Sequence, residues 1–194
     1  LNIAQIGVGY WGPNLLRNLM ANKQCKVTAV SDLDANRRDY VHRLYPAVRI
    51  TDRPRDVFED QSVDAVVIAT PVATHFELAM TALEKGKHIL VEKPLARSVS
   101  EIDEMGKIAK KKNLIVMAGH TFLFNAAVRY VKKLIDAGEL GKIRYIYSQR
   151  LNLGRIRSDV DALWNFAPHD VSIIQYWLGD PTPLSVVRRG LDYI

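Results

Sequence analysis

A chain of 194 residues is long enough to bury a full core, and its 48% apolar and 25% charged residues are those of an ordinary globular protein. No apolar run approaches the roughly 20 residues of a membrane span, and the first residues lack the basic and apolar segments of a secretory leader. The single cysteine, Cys25, excludes an intrachain disulfide framework and fits a cytoplasmic setting. A net charge of +6 favours small anionic ligands but is too dispersed to argue for nucleic acid.

The first half alternates strand-like and helix-like segments. Strands are expected at Ile3–Gly7, Lys26–Ser31, Val48–Thr51, Asp64–Ala69, Lys87–Val91 and Leu114–Ala118. Between them fall helices at Pro13–Asn22, Ala35–Tyr45, a short one near Arg55–Glu59, then Ala73–Lys85 and Val99–Lys112. Asp64–Ala69 is the clearest buried strand, because its β-branched residues do not alternate with polar ones. Ser98 followed by Glu101 matches a capping box, and Gly86 suits the residue just past a helix end. Strands and helices of this length imply a parallel sheet with right-handed crossovers. The expected fold is therefore α/β, a Rossmann-type doubly wound sheet over residues 1–119.

From residue 120 the pattern changes. A helix is expected at Ala126–Ala137, an alternating strand at Lys142–Leu151, a helix at Pro168–Trp177 and another strand from Leu184. Residues 120–194 thus read as the start of an α+β substrate domain with a mixed or antiparallel sheet. The strand pattern runs out at Ile194 with no closing element, so the chain reads as truncated or completed by another copy. A homo-oligomer through that sheet is the expected assembly.

The motif Gly7-Val8-Gly9-Tyr10-Trp11-Gly12 follows the first strand and precedes a helix. In that setting Gly7 permits the tight turn, Gly9 lets backbone approach a pyrophosphate, and Gly12 lets helix and strand pack closely. Asp32 ends the second strand twenty residues beyond Gly12, where a carboxylate binds ribose hydroxyls. A carboxylate there favours NAD over NADP; Arg37 and Arg38 pull the other way unless they are plain helix residues. Thr70-Pro71 and Glu92-Lys93-Pro94 end two further strands at the same sheet edge, with Tyr10, Trp11, Thr70, Pro71, Glu92 and Lys93 in reach of the cofactor. His75 is either a helix-start histidine or a contact to ribose or nicotinamide. No His, Cys or carboxylate spacing suits a metal.

With these motifs in this order, the chain resembles the glucose–fructose oxidoreductase/inositol dehydrogenase/MocA family over essentially its whole length. Gly9-Tyr10-Trp11-Gly12-Pro13-Asn14 and Leu163-Trp164-Asn165-Phe166-Ala167-Pro168-His169-Asp170 look most like its sugar-nucleotide branch. That branch includes dehydrogenases of the 3-hydroxyl of UDP-N-acetylglucosamine-type uronates. The resemblance implies a catalytic Lys93, a cis Lys93–Pro94 bond, and His169 as general acid/base. Such a pair suits hydride transfer, which leaves a hydroxyl proton for a base and negative charge on oxygen for a cation. Many members carry Asp where this chain has Asn165, which shifts the proton transfer onto His169. Asp170 is expected in the first turn of its helix, complementing the dipole. His120, Asn125, Arg155 and Arg157 are candidates for lining the substrate site. The competing reading is a non-catalytic NAD- or sugar-binding sensor of the same fold.

Overall fold

In a computed structural model, residues 1–151 and 160–190 are described. The chain divides into two compact units, one of Leu1–Gly119 with Ile156–Asn165, the other of His120–Arg155 with Phe166–Ile194.

The first unit is built on six strands: β1 (Asn2–Ile6), β2 (Lys26–Ser31), β3 (Arg49–Thr51), β4 (Ala65–Ile68), β5 (His88–Val91) and β6 (Val116–Ala118). Their order across the sheet is β3-β2-β1-β4-β5-β6, and every pairing is parallel. Parallel neighbours need crossovers. These are supplied by α1 (Gly12–Ala21), α2 (Ala35–Leu44), α3 (Pro54–Phe58), α4 (His75–Glu84) and α5 (Val99–Lys112).

The apolar residues separate into two clusters. Val8, Leu16, Val27, Val30, Val41 and Val48 form one, joining α1 and α2 to the strands. Ile6, Val66, Ile68, Val91, Leu83 and Met105 belong to the other, joining α4 and α5. Because both faces are covered, β4 is apolar without alternation, as its sequence requires. The Ser98 hydroxyl accepts from the Glu101 amide at 3.2 Å, and the Glu101 carboxylate accepts from the Arg97 amide at 2.7 Å. The capping box is thus formed, its return bond falling one residue upstream of the cap. Asn113, left-handed at φ 55°, ends α5.

The sheet order reverses between β1 and β4, and the crevice at that point is where such folds take ligands. Backbone pairing carries on past the strand ends toward it. The Gly7 amide donates to Ser31 O at 2.8 Å, Glu92 to Ile68 O at 2.9 Å and Gly119 to Val91 O at 2.8 Å. The residues just beyond the strands are therefore held by the sheet itself.

The second unit contains α6 (Ala126–Asp136) and, from Phe166 onward, α7 (Ala162–Leu178), whose first four residues are assigned to the first unit. The Trp177 indole donates to Val128 O at 2.9 Å, and Val128 and Ile173 are its buried apolar residues among those described. The helix expected at Pro168 in fact starts six residues earlier. Asp161 caps it by accepting from the Trp164 amide at 2.8 Å, and Pro168 lies inside it. A proline marks a helix start only where no better cap precedes it. The strands expected at Lys142–Leu151 and Leu184–Arg189 are not formed among the described residues, nor is the mixed or antiparallel sheet they would build. A strand is a paired structure, and alternation alone supplies no partner: Tyr145 and Tyr147 stand 84% and 73% exposed. Arg155 and Arg157 lie outside the described residues. Among the described residues no helix is long and apolar enough to cross a membrane.

Candidate cofactor and catalytic site

The glycine turn has the geometry its sequence predicts. Gly7 has φ +90°, and a Cβ there would meet Ala69 O at 2.5 Å. At Gly12 a Cβ would meet Gly7 O, also at 2.5 Å, which is the close approach of α1 to β1. A Cβ at Gly9 would meet nothing within 4 Å, so backbone at that point is open to an approaching ligand. The first turn of α1 follows, with Pro13 inside it, and presents the positive end of the helix dipole.

Sequence reasoning missed how the turn is held. Gln5, fully buried between Ala4 and Ile6 of β1, donates to Gly7 O and to Gly12 O, each at 2.9 Å. One side-chain amide thereby fixes both ends of the loop. The visible signal was a glutamine among the apolar residues Ile3, Ala4 and Ile6, since a buried amide implies bonded partners.

Asp32 is joined to the same loop. Its carboxylate accepts from the Val8 amide at 2.7 Å and from the Asp34 amide at 2.9 Å, one on each oxygen. Each oxygen keeps a lone pair for a ribose hydroxyl. Arg38 donates to Asp32 O at 2.8 Å and Leu33 O at 2.9 Å, so its guanidinium supports the turn rather than reaching for a 2′-phosphate. Arg37 is an exposed helix residue. The open Gly9, the α1 terminus and Asp32 fit a dinucleotide without a 2′-phosphate.

At the β4 and β5 ends, Thr70 Oγ1 pairs with Thr74 Oγ1 at 2.7 Å, and Thr74 Oγ1 donates to Pro71 O at 2.8 Å. The Lys93–Pro94 bond is cis. Burial pushes the Glu92 carboxyl above the ordinary carboxylate value, while bonds from the Lys93 amide, the Lys93 charge and the Trp11 indole oppose the rise. A Cβ on Gly119 would come within 3.2 Å of the Glu92 side chain, so the glycine ending β6 leaves it room. Lys93 is half-buried, and its Nζ donates to Asn165 O at 2.8 Å. Tyr10, 82% exposed, and Trp11, 44% exposed, stand on the rim of the glycine loop.

His75 departs from the expected cofactor contact. It is 1% exposed, with both ring nitrogens against backbone carbonyls, so it is closed to direct contact. Asn125 is likewise engaged: its side-chain oxygen caps α6, accepting from Ala127 at 2.9 Å and Val128 at 3.3 Å. His120 follows Gly119 at the end of β6 and is half-buried.

Within the second unit, the His169 ring stands edge-on to Phe122, centroids 4.8 Å apart and planes at 63°. Arg150 lies over the other partner, 5.2 Å from the Phe122 centroid, and forms a two-point ion pair with Asp170 at 2.7 and 3.1 Å. Asp170 is therefore an ion-pair residue in mid-helix, not a first-turn carboxylate, because Asp161 starts α7 earlier. Burial works against its charge, but hydrogen bonds from Arg150 and Ser148 prevail and hold the carboxyl below its ordinary range. Among the described residues no group of three His, Cys, Asp or Glu is placed to hold a metal.

A parallel sheet in this order, with a glycine turn and a carboxylate at its switch point, defines a dinucleotide-binding Rossmann domain. The chain belongs to the oxidoreductase family with an NAD-binding Rossmann fold (GFO_IDH_MocA), whose profile matches residues 1–120. It is 36% identical over 196 residues to 2,7-anhydro-N-acetylneuraminate hydratase of Mediterraneibacter gnavus, covering 96% of this chain and 51% of that protein. With scyllo-inositol 2-dehydrogenase (NAD(+)) of Bacillus subtilis it shares 32% identity, over 91% of this chain and 53% of that protein. A crystal structure of a probable dehydrogenase from Thermotoga maritima superposes with a TM-score of 0.80 at 26% identity, covering 92% of this chain and 55% of that one. The chain spans about half the length of these curated relatives.

Proposed function

We propose that the protein is an NAD-dependent dehydrogenase acting on a secondary hydroxyl of a sugar or sugar nucleotide, with the 3-hydroxyl of a UDP-N-acetylglucosamine-type uronate as the specific target. The observation that carries this reading is Lys93, set by the sheet at the carboxyl end of β5 on the edge that also carries the glycine turn and Asp32. Bound NAD supplies the hydride acceptor. The Lys93 ammonium orients the substrate hydroxyl and stabilises negative charge growing on its oxygen. His169 takes the hydroxyl proton, its ring packed against Phe122. The Asn165 amide offers a hydrogen bond to a neighbouring hydroxyl but no base. The relationship to an NAD(+)-dependent inositol dehydrogenase supports polyol-like chemistry.

A second reading is favoured by the 36% identity to a protein named as a hydratase. In it the same residues serve a reaction that adds or removes water and leaves no net change in NAD. One experiment separates the readings. The protein is incubated with NAD and a panel of UDP-sugars, UDP-sugar uronates, free polyols and anhydro-sugars, following NADH absorbance and product mass together. NADH formed with loss of two hydrogens from the substrate supports the dehydrogenase. A mass change of one water without NADH supports the hydratase. Tight NAD binding with no product from any compound would favour a sensor and overturn both.

A further inference from the structure

One side chain at the β4–β5 edge takes no direct part in the proposed chemistry yet is placed to control it. His75 opens α4 with its ring 1% exposed. Its Nδ1 lies 2.8 Å from the carbonyl oxygen of Pro94, and its Nε2 lies 2.9 Å from that of Thr70. These oxygens belong to the turns that leave β5 and β4, so the ring bridges the two strand ends.

A carbonyl oxygen only accepts, and a neutral imidazole has one N–H to give. One bond is therefore the donated one. The two turns differ in what else supports them. The turn after β4 is already closed by the Thr70–Thr74 hydroxyl pair at 2.7 Å and by the Thr74 amide and hydroxyl on Pro71 O at 3.0 and 2.8 Å. The turn after β5 contains Pro94, which has no N–H to anchor it, and its carbonyl is the group α4 can grip.

We propose that His75 is the positioning residue for Lys93: protonated on Nδ1, it donates to the Pro94 carbonyl and fixes the turn from which the Lys93 ammonium extends. The proposal deepens the dehydrogenase reading and rests on the role given there to Lys93.

Three substitutions dissect the bridge. An asparagine amide nitrogen falls near the position of Nδ1, and a glutamine amide nitrogen near that of Nε2. His75→Asn thus keeps a donor for Pro94, His75→Gln keeps one for Thr70, and His75→Phe keeps neither. With the substrate and NAD, His75→Gln and His75→Phe are expected to lower kcat about 10- to 100-fold, the scale of a misplaced catalytic group, while the NADH dissociation constant stays within about 2-fold. His75→Asn should recover most of that loss. In a Lys93→Ala background the same substitutions should add nothing further, because the two residues act as one unit. Equal activity of the Asn and Gln variants, wild-type activity of His75→Phe, or full additivity with Lys93→Ala would each overturn the proposal. Thermal melts establish folding, and if His75→Phe does not fold, the Asn and Gln pair decides. Should the wild-type protein turn over no substrate, nitrogen-15 spectra of the imidazole ring still decide the tie. A slowly exchanging proton on Nδ1 supports it, and a proton on Nε2 alone contradicts it whatever the reaction proves to be.

Discussion

The two units place their chemical groups by different means. In the first, the turns at the sheet edge are tied by backbone groups and buried side chains: Gln5 on the glycine turn, the Val8 amide on Asp32, His75 against the strand ends. In the second, the His169 ring packs edge-on against Phe122, on a helix tied by the Arg150–Asp170 ion pair and by the Trp177 indole on Val128 O. Apolar residues such as Tyr130, Tyr145, Val186 and Val187 remain largely exposed there. The difference teaches that the cofactor edge is a property of the sheet, whereas the position of the proposed acid/base depends on a few separable contacts. Changes to the first unit should therefore act on folding as a whole, and changes to the second should act locally.

The largest effect is expected from Gly7→Ala. The left-handed backbone and a Cβ at 2.5 Å from Ala69 O leave no room for relaxation, and a loss of about 3 kcal/mol or more is expected in urea unfolding of the whole sheet. A loss near zero would mean the turn can be rebuilt and is not set by the sheet. Next comes Arg150→Ala, which strands the half-buried Asp170 carboxylate. A destabilisation of about 1–3 kcal/mol is expected, the scale of a polar group left unpaired. Hydrogen exchange should show it in α7 while β1, β4 and β5 keep their protection; equal loss in both would erase the contrast drawn above.

Glu92→Gln sharpens the picture of the edge itself. Since burial raises the Glu92 carboxyl above its unfolded value, the stability linked to it is fully present below the ordinary carboxylate range and is lost as pH rises through the raised value. The glutamine variant should show a flatter dependence of melting temperature on pH across that window. An unchanged slope would mean that Glu92 is not desolvated at the end of β5. The smallest effect belongs to Tyr145→Lys, within about 0.5 kcal/mol by thermal melt, because this side chain is 84% exposed.

What was legible in the sequence follows the same division. The glycine turn and the Ser98 cap are local signals, carried by residues a few positions apart, and Asp32 was found through its fixed spacing from that turn across one strand–helix–strand unit. The bonding of His75 was not legible, because its partners are backbone carbonyls five and nineteen residues away, to which sequence gives no pointer. Arg150 and Asp170 are separated by twenty residues and leave no local trace either. The start of α7 was misplaced because Pro168 drew the boundary to itself, although Asp161 caps the helix seven residues earlier. The alternating segment from Lys142 had the right pattern for a strand but lacks a paired neighbour among the described residues.

The central claim is that Lys93 acts on the substrate oxygen and not on the cofactor. It is tested most directly by measuring turnover and NADH affinity in a Lys93→Ala variant side by side with the wild-type protein. A fall in kcat of about 10²- to 10³-fold with the NADH dissociation constant unchanged within a factor of about three is predicted, as for the loss of one group that stabilises developing charge. Equal turnover in the two proteins, or a loss explained wholly by weaker NADH binding, would contradict it.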